Sequence, residues 1–317
     1  MRNADELIAG IEAMIYRGAF LNALYALDAI ESRIDEMGCK DIHELKKHIL
    51  DDAKRMANAN PSWSIVGTAC HYVTLPLQAD FSEADGCDEP LGQIRKRIKI
   101  FRLELNQAQD RVAVTGANIV PDGGRVGVMS YSGTLINIFK KAWQDGKRFS
   151  ILGTESRPNR EGLSMAAELA SLGIPYTLIA DVAQVHHLDQ VDLAFVGVDT
   201  LVANGDIINK IGTMPIALGC RYHGKPLYAA TSILKMNIGS LLGEPVSLKV
   251  VDNPLSVVTE EILQYETVNV SNVFFEVTPA QFFTGLITEY GLRSPGEAHG
   301  LWDRTWAGLT RRANEDI

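Results

Sequence analysis

The chain has 317 residues and a formal net charge of −9 at pH 7, with 46% hydrophobic and 22% charged residues. This length suits two domains, or one large one, with a sizeable core. The acidic balance argues against a nucleic-acid partner, because an extended phosphate backbone needs a basic surface. A small phosphorylated ligand needs only a local basic pocket and stays possible.

Targeting signals and metal motifs are not expected. No apolar run approaches the length of a membrane span, and the amino terminus is polar and acidic, so we expect no membrane partner, no signal peptide and a cytoplasmic protein. The cysteines are scattered without a CxxC pair, which predicts free thiols in a reducing compartment and no metal site. They are Cys39, Cys70, Cys87 and Cys220.

Residues 1–112 are predicted to form an N-terminal helical domain. Apolar residues recur at helical spacing in four stretches, which cover residues 5–16, a run ending near Gly38, and residues 41–57 and 91–111. The acidic, turn-rich stretch 79–90 is typical of a mobile loop or linker. Trp63 is interpreted as a packing residue.

Residues 113–317 are predicted to form a Rossmann-like α/β domain with a parallel sheet, because short apolar runs alternate with helical stretches. No GxGxxG follows the first predicted strand and no Walker-type motif is present, so we expect no cofactor. The predicted strands are 126–129, 149–152, 176–179, 193–196 and 227–230. The predicted helices are 135–143, 162–172, 182–187 and 212–222.

Polar residues follow every predicted strand, which is the expected layout of a ligand-binding rim. Residues 197–213 are predicted to be a strand-to-helix crossover loop in which Asp199 is placed for chemistry and Lys210 for holding an anion. The alternative is that Asp199 caps a turn and Lys210 is a solvated surface charge. The run Ser132-Gly133-Thr134 offers backbone N–H groups to an anion at a helix start, or it is only a helix cap.

Three segments carry a resemblance to a known superfamily. They are Thr154-Glu155-Ser156-Arg157-Pro158, the loop 197–213 with its Asn-Lys-Ile-Gly-Thr ending, and residues 269–279, which end in Glu-Val-Thr-Pro. They resemble the sugar-1-phosphate isomerases, a superfamily with ribose-1,5-bisphosphate isomerase, methylthioribose-1-phosphate isomerase and the regulatory subunits of translation initiation factor 2B. The chain length and residues 230–235 are most similar to the ribose-1,5-bisphosphate branch.

The resemblance implies a set of ligand contacts around Asp199 as the acid/base. A similar Arg-Gly-Ala holds a substrate phosphate in the isomerases, which suits the guanidinium fork and the backbone amides, and the resemblance favours that role here. The alternative is an Arg at a helix end followed by a C-cap glycine. The implied substrate contacts are Arg17, Gly18, Ala19, Asn209, Lys210 and Lys235.

Three positions depart from the isomerase pattern. Ser130 stands where the isomerases carry a catalytic cysteine, and a hydroxyl is far less acidic than a thiol. Asn60 replaces a phosphate-binding arginine. Glu161 replaces a glutamine, and its charge would repel a phosphate unless Arg157 or Arg160 offsets it. Asn60 and Glu161 would therefore suit a ligand with one fewer phosphate.

Two functions follow from the resemblance. The first is an aldose–ketose isomerase acting on a phosphorylated sugar, with activity altered or lost through Ser130. The second is a non-catalytic regulatory protein, similar to the initiation factor 2B subunits, that senses a sugar phosphate. The resemblance also implies a homodimer formed by the C-terminal domain, with residues 268–292 as a candidate contact.

Overall fold

The computed structural model describes residues 2–16, 18–38, 41–79, 86–251 and 253–315. Within these ranges a helical N-terminal region is followed by a mainly parallel central sheet, which confirms the predicted α/β class. Arg17, one of the predicted substrate contacts, lies outside the described residues, as does Cys39.

The helical region contains the four predicted helices and one that the sequence pattern did not reveal. That helix, α4, buries residues on nearly all of its faces, so it lacks the polar stripe that makes an amphipathic period visible. The helices are α1 (Ala4–Glu12), α2 (Ala19–Met37), α3 (Ile42–Ala59), α4 (Ser64–Thr74) and α5 (Asp88–Ile119). Their shared core includes Leu27, Ile30, Ile49, Tyr72 and Phe101.

Helix α5 is long enough to contact both parts of the chain. It packs on α2 and α4, and farther along on α6 (Gly133–Gln144), the first helix after the sheet begins. A side chain at Gly116 of α5 would lie 2.5 Å from Ile138 Cδ1, so glycine permits this close helix contact. The second half of α5 therefore anchors the sheet to the helical region.

The central sheet has seven strands in the order β10-β9-β7-β4-β1-β2-β3. All neighbours are parallel except β9 and β10, which are antiparallel. The five predicted strands are present within two residues of their expected bounds. The strands of this sheet are β1 (Arg125–Val128), β2 (Ser150–Thr154), β3 (Tyr176–Ile179), β4 (Leu193–Gly197), β7 (Leu227–Ala230), β9 (Gly285–Thr288) and β10 (Gly291–Arg293).

Residues 197–213 are not a crossover loop, so that prediction is wrong. The antiparallel strands β5 (Thr200–Leu201) and β6 (Ile207–Lys210) form a hairpin, and β8 (Phe275–Thr278) pairs with β6 to complete a second sheet. The turn includes Gly205 at φ 88°, a conformation that favours glycine. Ile207 and Ile208 are fully buried, which favours a strand at this position over a solvent-exposed loop.

The C-terminal helix returns to the helical region. Leu309 joins the N-terminal core, and its carbonyl accepts a 2.9 Å hydrogen bond from the Tyr72 hydroxyl. Arg312 of this helix forms a 2.7 Å ion pair with Glu104 of α5. The remaining helices are α7 (Glu161–Ser171), α8 (Gln184–His187), α9 (Thr213–His223), α10 (Ile238–Leu241), α11 (Glu260–Leu263) and α12 (Ala298–Asn314).

Two further expectations need correction. The end of the predicted 79–90 loop forms the first turn of α5, which begins at Asp88, while residues 80–85 lie outside the described ranges. Cys70 and Cys220 are buried free thiols as expected, but Cys87 is disulfide-bonded. Spacing along the chain does not reveal which cysteines meet in space.

Membrane-spanning helices and clusters of metal ligands are both absent from the described ranges. No helix there combines the length and the apolar character needed to cross a membrane. The same residues contain no group of three or more His, Cys, Asp or Glu side chains arranged to hold a metal ion.

Candidate functional site

A cavity of about 810 Å³ lies between the helical region and the carboxyl ends of the central strands. The parallel strands β1 and β4 end at the same edge of the sheet, which is where ligands bind in this type of fold. Both parts of the chain contribute to the wall. The predicted site residues that line it are Gly18, Ala19, Ser130, Ser132, Gly133, Thr134, Glu161, Asp199, Asn209, Lys210 and Lys235.

Asp199 follows β4 and connects it to the hairpin. Its backbone N–H donates a 2.9 Å hydrogen bond to the carbonyl of Ile208, which holds the residue against β6. Burial raises the pKa of the Asp199 carboxyl to about 6, while Lys235 and Lys210 oppose that shift. A carboxyl with this pKa can both donate and accept a proton near neutral pH.

Trp63 also contacts Asp199, a role that the sequence interpretation missed. The buried indole belongs to the helical core, as expected of a packing residue, and it also lines the cavity. Its indole N–H is close enough to the Asp199 carboxylate to lower the pKa of that group, against the effect of burial. Trp63 therefore provides both apolar cover and a polar contact.

Lys235 lies in a short 3₁₀ turn, Ile233–Lys235, that follows β7. Lys235 is only 8% exposed, and its Nζ donates a hydrogen bond to the backbone carbonyl of Val198. Burial lowers the pKa of Lys235, and the neighbouring Asp199 acts in the opposite direction. The lysine and the aspartate thus influence each other electrostatically at the end of the central strands, while the ammonium group itself bonds to a backbone carbonyl.

Glu289 holds the turn that carries Lys235. The carboxylate is buried and accepts hydrogen bonds from Ser232 Oγ at 3.0 Å and from the backbone N–H of Ile233 at 3.0 and 3.1 Å. Burial raises its pKa to about 7. Sequence reasoning missed this residue, although it directly follows β9 and so satisfies the same strand-end rule as Asp199.

Lys210 and Glu161 form an ion pair on the cavity wall. The Lys210 Nζ lies 2.8 Å from Glu161 Oε1 and 4.3 Å from the centre of the Phe274 ring. Lys210 is 5% exposed. The neighbouring Asn209 donates to Thr213 Oγ1 at 3.0 Å. Lys210 therefore supplies the charge that offsets Glu161, a role the sequence assigned to Arg157 or Arg160.

Ser130 has a left-handed backbone conformation, with φ 61°. Its N–H donates to Ser156 Oγ at 2.7 Å, and Ser156, also left-handed, is held in turn by the Asp181 carboxylate. A non-glycine residue in this region is retained only where its surroundings enforce it. The loop after β1 is thus held in one shape at the edge of the cavity.

Ser132 is the N-cap of α6, the helix whose first turn lines the cavity. Its Oγ accepts a 3.4 Å hydrogen bond from the N–H of Leu135, so the capping interpretation of this serine is correct. A Cβ added to Gly197 would lie 2.8 Å from Ser132 Oγ. Glycine at the end of β4 therefore permits the close approach of α6.

Two predicted substrate contacts lie away from the described cavity wall. Asn60 is buried, and its side-chain oxygen accepts a 3.0 Å hydrogen bond from the N–H of Ser62. Arg157 extends toward another segment, where it donates to the carbonyl of Ser256 at 3.1 Å. Arg160 lies 3.7 Å from Glu155. The sequence could not reveal the partner of Arg157, because Ser256 is 99 residues away along the chain.

The fold and cavity define a class of α/β protein with a cavity between a helical region and the carboxyl ends of a parallel sheet, lined by Asp199 and Lys235. The chain belongs to the initiation factor 2 subunit family, whose model matches residues 16–295. This result confirms the superfamily to which the sequence motifs pointed.

Relatives within this superfamily carry both enzyme and initiation-factor names. The chain is 30% identical over 320 residues to ribose 1,5-bisphosphate isomerase from Pyrococcus furiosus, covering 100% of this chain and 98% of that protein. It is 26% identical to methylthioribose-1-phosphate isomerase from Nostoc punctiforme, covering 94% and 88%. The structure of Pyrococcus horikoshii translation initiation factor eIF-2B is similar with a TM-score of 0.74 and 26% identity, covering 92% of this chain and 97% of that one.

Proposed function

We propose that this protein is an aldose–ketose isomerase acting on a sugar 1-phosphate, with Asp199 as its acid/base. The observation that carries the proposal is the Asp199 carboxyl, which is partly buried, has a pKa raised to about 6 and lines the cavity together with Lys235. The isomerase names of the relatives support the same reaction class.

The reaction needs a group that both gives and takes a proton. A 1-phosphorylated aldose cannot open its ring as a free sugar does, because the phosphate occupies the anomeric oxygen. Asp199 in its protonated form donates to the ring oxygen as the bond from C1 to that oxygen breaks. The hydrogen on C2 then moves with its bonding electron pair to the electron-deficient C1, and the C2 hydroxyl loses its proton to Asp199 as the ketone forms. The atoms balance without an external oxidant or reductant.

The other wall residues are proposed to bind and orient the sugar. Lys235 keeps Asp199 within a useful pKa range by opposing the effect of burial. Gly18, Ala19 and the first turn of α6 present backbone groups to the ligand, and Arg17 completes the phosphate contacts in this proposal. Ser130 positions the substrate at the end of β1.

The second candidate function is a regulatory protein that senses a sugar phosphate without converting it. Ser130 favours this alternative, because a serine hydroxyl does not readily replace a thiol in proton transfer and the resemblance predicts a cysteine there. In that case the Asp199 and Lys210 side chains would bind a ligand and release it without chemical conversion. The initiation-factor names within the family are compatible with this role.

We further propose a cytoplasmic homodimer with two domains, residues 1–112 and 113–317. Exposed apolar side chains in the candidate contact 268–292 support an interface there, with Val268, Val273, Val277 and Leu292 each more than 40% exposed. Light scattering coupled to size-exclusion chromatography tests the dimer. A monomer at all protein concentrations would contradict it.

Phosphorus and proton NMR of the purified protein with ribose 1,5-bisphosphate and methylthioribose 1-phosphate tests the reaction. We expect ketose with the wild type and none with Asp199→Asn. Ser130→Cys and Ser130→Ala form a matched pair that asks whether a thiol at this position speeds turnover. Shifted ligand signals without product from any variant would support the sensor instead, and no binding would contradict both functions.

A further inference from the structure

One oxygen of Glu161 has no hydrogen-bond partner among the described residues, although it is shielded from solvent. Oε1 accepts from Lys210 Nζ at 2.8 Å and from Asn159 Nδ2 at 3.4 Å. Oε2 is buried, and the described residues provide it with no partner. Because the Glu161 side chain is 27% exposed and lines the cavity, a small rotation of its carboxylate would present Oε2 to a ligand that supplies the missing donor.

The charge of the cavity wall limits how many phosphates it can take. Among the described lining residues the cations are Lys210 and Lys235, and the carboxylates are Glu161, Glu168 and Asp199. Lys210 is paired with Glu161, and Lys235 interacts with Asp199. Within the described wall, Lys210 is thus already ion-paired, and Lys235 is already under the influence of the Asp199 charge.

A phosphate can take Lys210 only by breaking its ion pair with Glu161. That exchange would leave the Glu161 carboxylate, one oxygen of which is already without a partner, next to a second anion. Removing one member of a poorly exposed ion pair is strongly unfavourable, because the remaining charge is left uncompensated away from water. A hydroxyl group avoids this cost, since it can donate to Glu161 Oε2 and leave the pair intact.

We propose that the natural ligand is a pentose with a single phosphate, and that Glu161 selects against a second phosphate by accepting a hydrogen bond from a sugar hydroxyl. This inference rests on the proposed function for the sugar 1-phosphate class and adds its specificity. Glu161 is the specificity-determining residue, and Lys210 holds its carboxylate in place.

Calorimetric titration with ribose 1-phosphate, ribose 1,5-bisphosphate and 5-deoxyribose 1-phosphate tests the proposal. For the wild type we expect ribose 1-phosphate to bind about tenfold more tightly than either of the others, the effect of losing one hydrogen bond to a charged group. In Glu161→Gln, which removes the charge and frees Lys210, the bisphosphate should gain about tenfold relative to the monophosphate. Glu266→Gln, an exposed carboxylate outside the cavity wall, is the matched control.

The outcomes separate this inference from the proposed reaction. Tighter wild-type binding of the bisphosphate, or a preference unchanged in Glu161→Gln, would overturn the inference even if ketose is formed. A monophosphate preference without any ketose would support the inference and count against the isomerase. Absence of binding to all three sugars would overturn the inference. If Glu161→Gln does not fold, the order of the wild-type affinities for the three sugars is by itself the test of the inference.

Discussion

Lys235 donates a hydrogen bond to the backbone carbonyl of Val198, the residue before Asp199. The contact joins the turn after β7 to the end of β4, so the ammonium group is held beside the carboxylate by two neighbouring strands. The charge of Lys235 opposes the effect of burial on the Asp199 pKa. The chemistry of Asp199 therefore depends on a residue 36 positions farther along the chain.

Replacing Lys235 with methionine should raise the pKa of Asp199 further above its present value of about 6. Methionine keeps much of the side-chain volume but removes the charge that favours the ionised carboxylate, so we expect an upward shift of about one unit or more. Carbon-13 NMR of labelled aspartate carboxyls measures the titration directly. Lys140→Met on the exposed side of α6 is the control, and an unchanged Asp199 midpoint in Lys235→Met would contradict the assignment.

Asp199→Asn should stabilise the protein at neutral and higher pH. The folded-state pKa of Asp199 is raised from 3.8 to about 6, so folding favours its protonated form. The stability that comes from this raised pKa is fully present below the unfolded-state pKa of 3.8, and it is lost as the pH rises through about 6. Asparagine does not ionise, and a shift of about two pKa units corresponds to a gain of about 3 kcal/mol above that pH.

Urea unfolding of the wild type and Asp199→Asn across this pH range measures the difference. It should be small near pH 4 and should grow until the pH exceeds about 6, the folded-state value. A difference that stays constant with pH would show that the substitution acts by another route. Asp122→Asn, at a turn outside the cavity wall, controls for the loss of one negative charge.

Glu289 should act by positioning Lys235. In Glu289→Ala the N–H of Ile233 loses its buried acceptor, which should lower the free energy of unfolding by about 1–3 kcal/mol. The loosened turn should also move the Asp199 pKa in the same direction as Lys235→Met does. Glu289→Gln retains an acceptor oxygen for Ile233 and should largely restore both properties. Reduced stability with an unmoved Asp199 titration would indicate a structural role alone.

Gly197→Ala should disturb the start of α6. The new Cβ would meet Ser132 Oγ at 2.8 Å and so displace the helix cap, at a cost of about 1 kcal/mol or more. Ser132→Gly removes the obstructing atoms while keeping a tolerated cap residue. The double variant Gly197→Ala/Ser132→Gly should therefore regain most of the loss in a thermal unfolding experiment. Strictly additive losses would argue against a steric conflict between these two positions.

The sequence predicted the regular elements well where periodicity is strong. The apolar run of β4 and the amphipathic pattern of α2 and α3 each reflect a local repeat of buried positions. The same reasoning failed at α4, which is buried on nearly every face, and at the hairpin of β5 and β6, in which β5 has only two residues. A helix is recognised from an apolar stripe that alternates with solvent, whereas a fully buried strand such as β4 is recognised from a continuous apolar run.

Some site residues were also predicted correctly from the sequence, whereas others were misplaced or missed. Asp199 and Lys210 were predicted from their place after a strand and from the superfamily motifs, and both line the cavity. Arg157 satisfied the same criteria, yet its guanidinium donates to the carbonyl of Ser256. Glu289 satisfied the strand-end rule and was overlooked, because its partners Ser232 and Ile233 are more than 50 residues away along the chain.

By itself the sequence determined the α/β class, the parallel strands and the superfamily, because these depend on local periodicity and on motifs of adjacent residues. Only the tertiary structure decided which charges meet. The pairing of Lys210 with Glu161 and the placement of Lys235 beside Asp199 join residues from different elements. A charge acts over a few ångströms in space whatever its separation along the chain, so its partner is specified by packing and not by spacing.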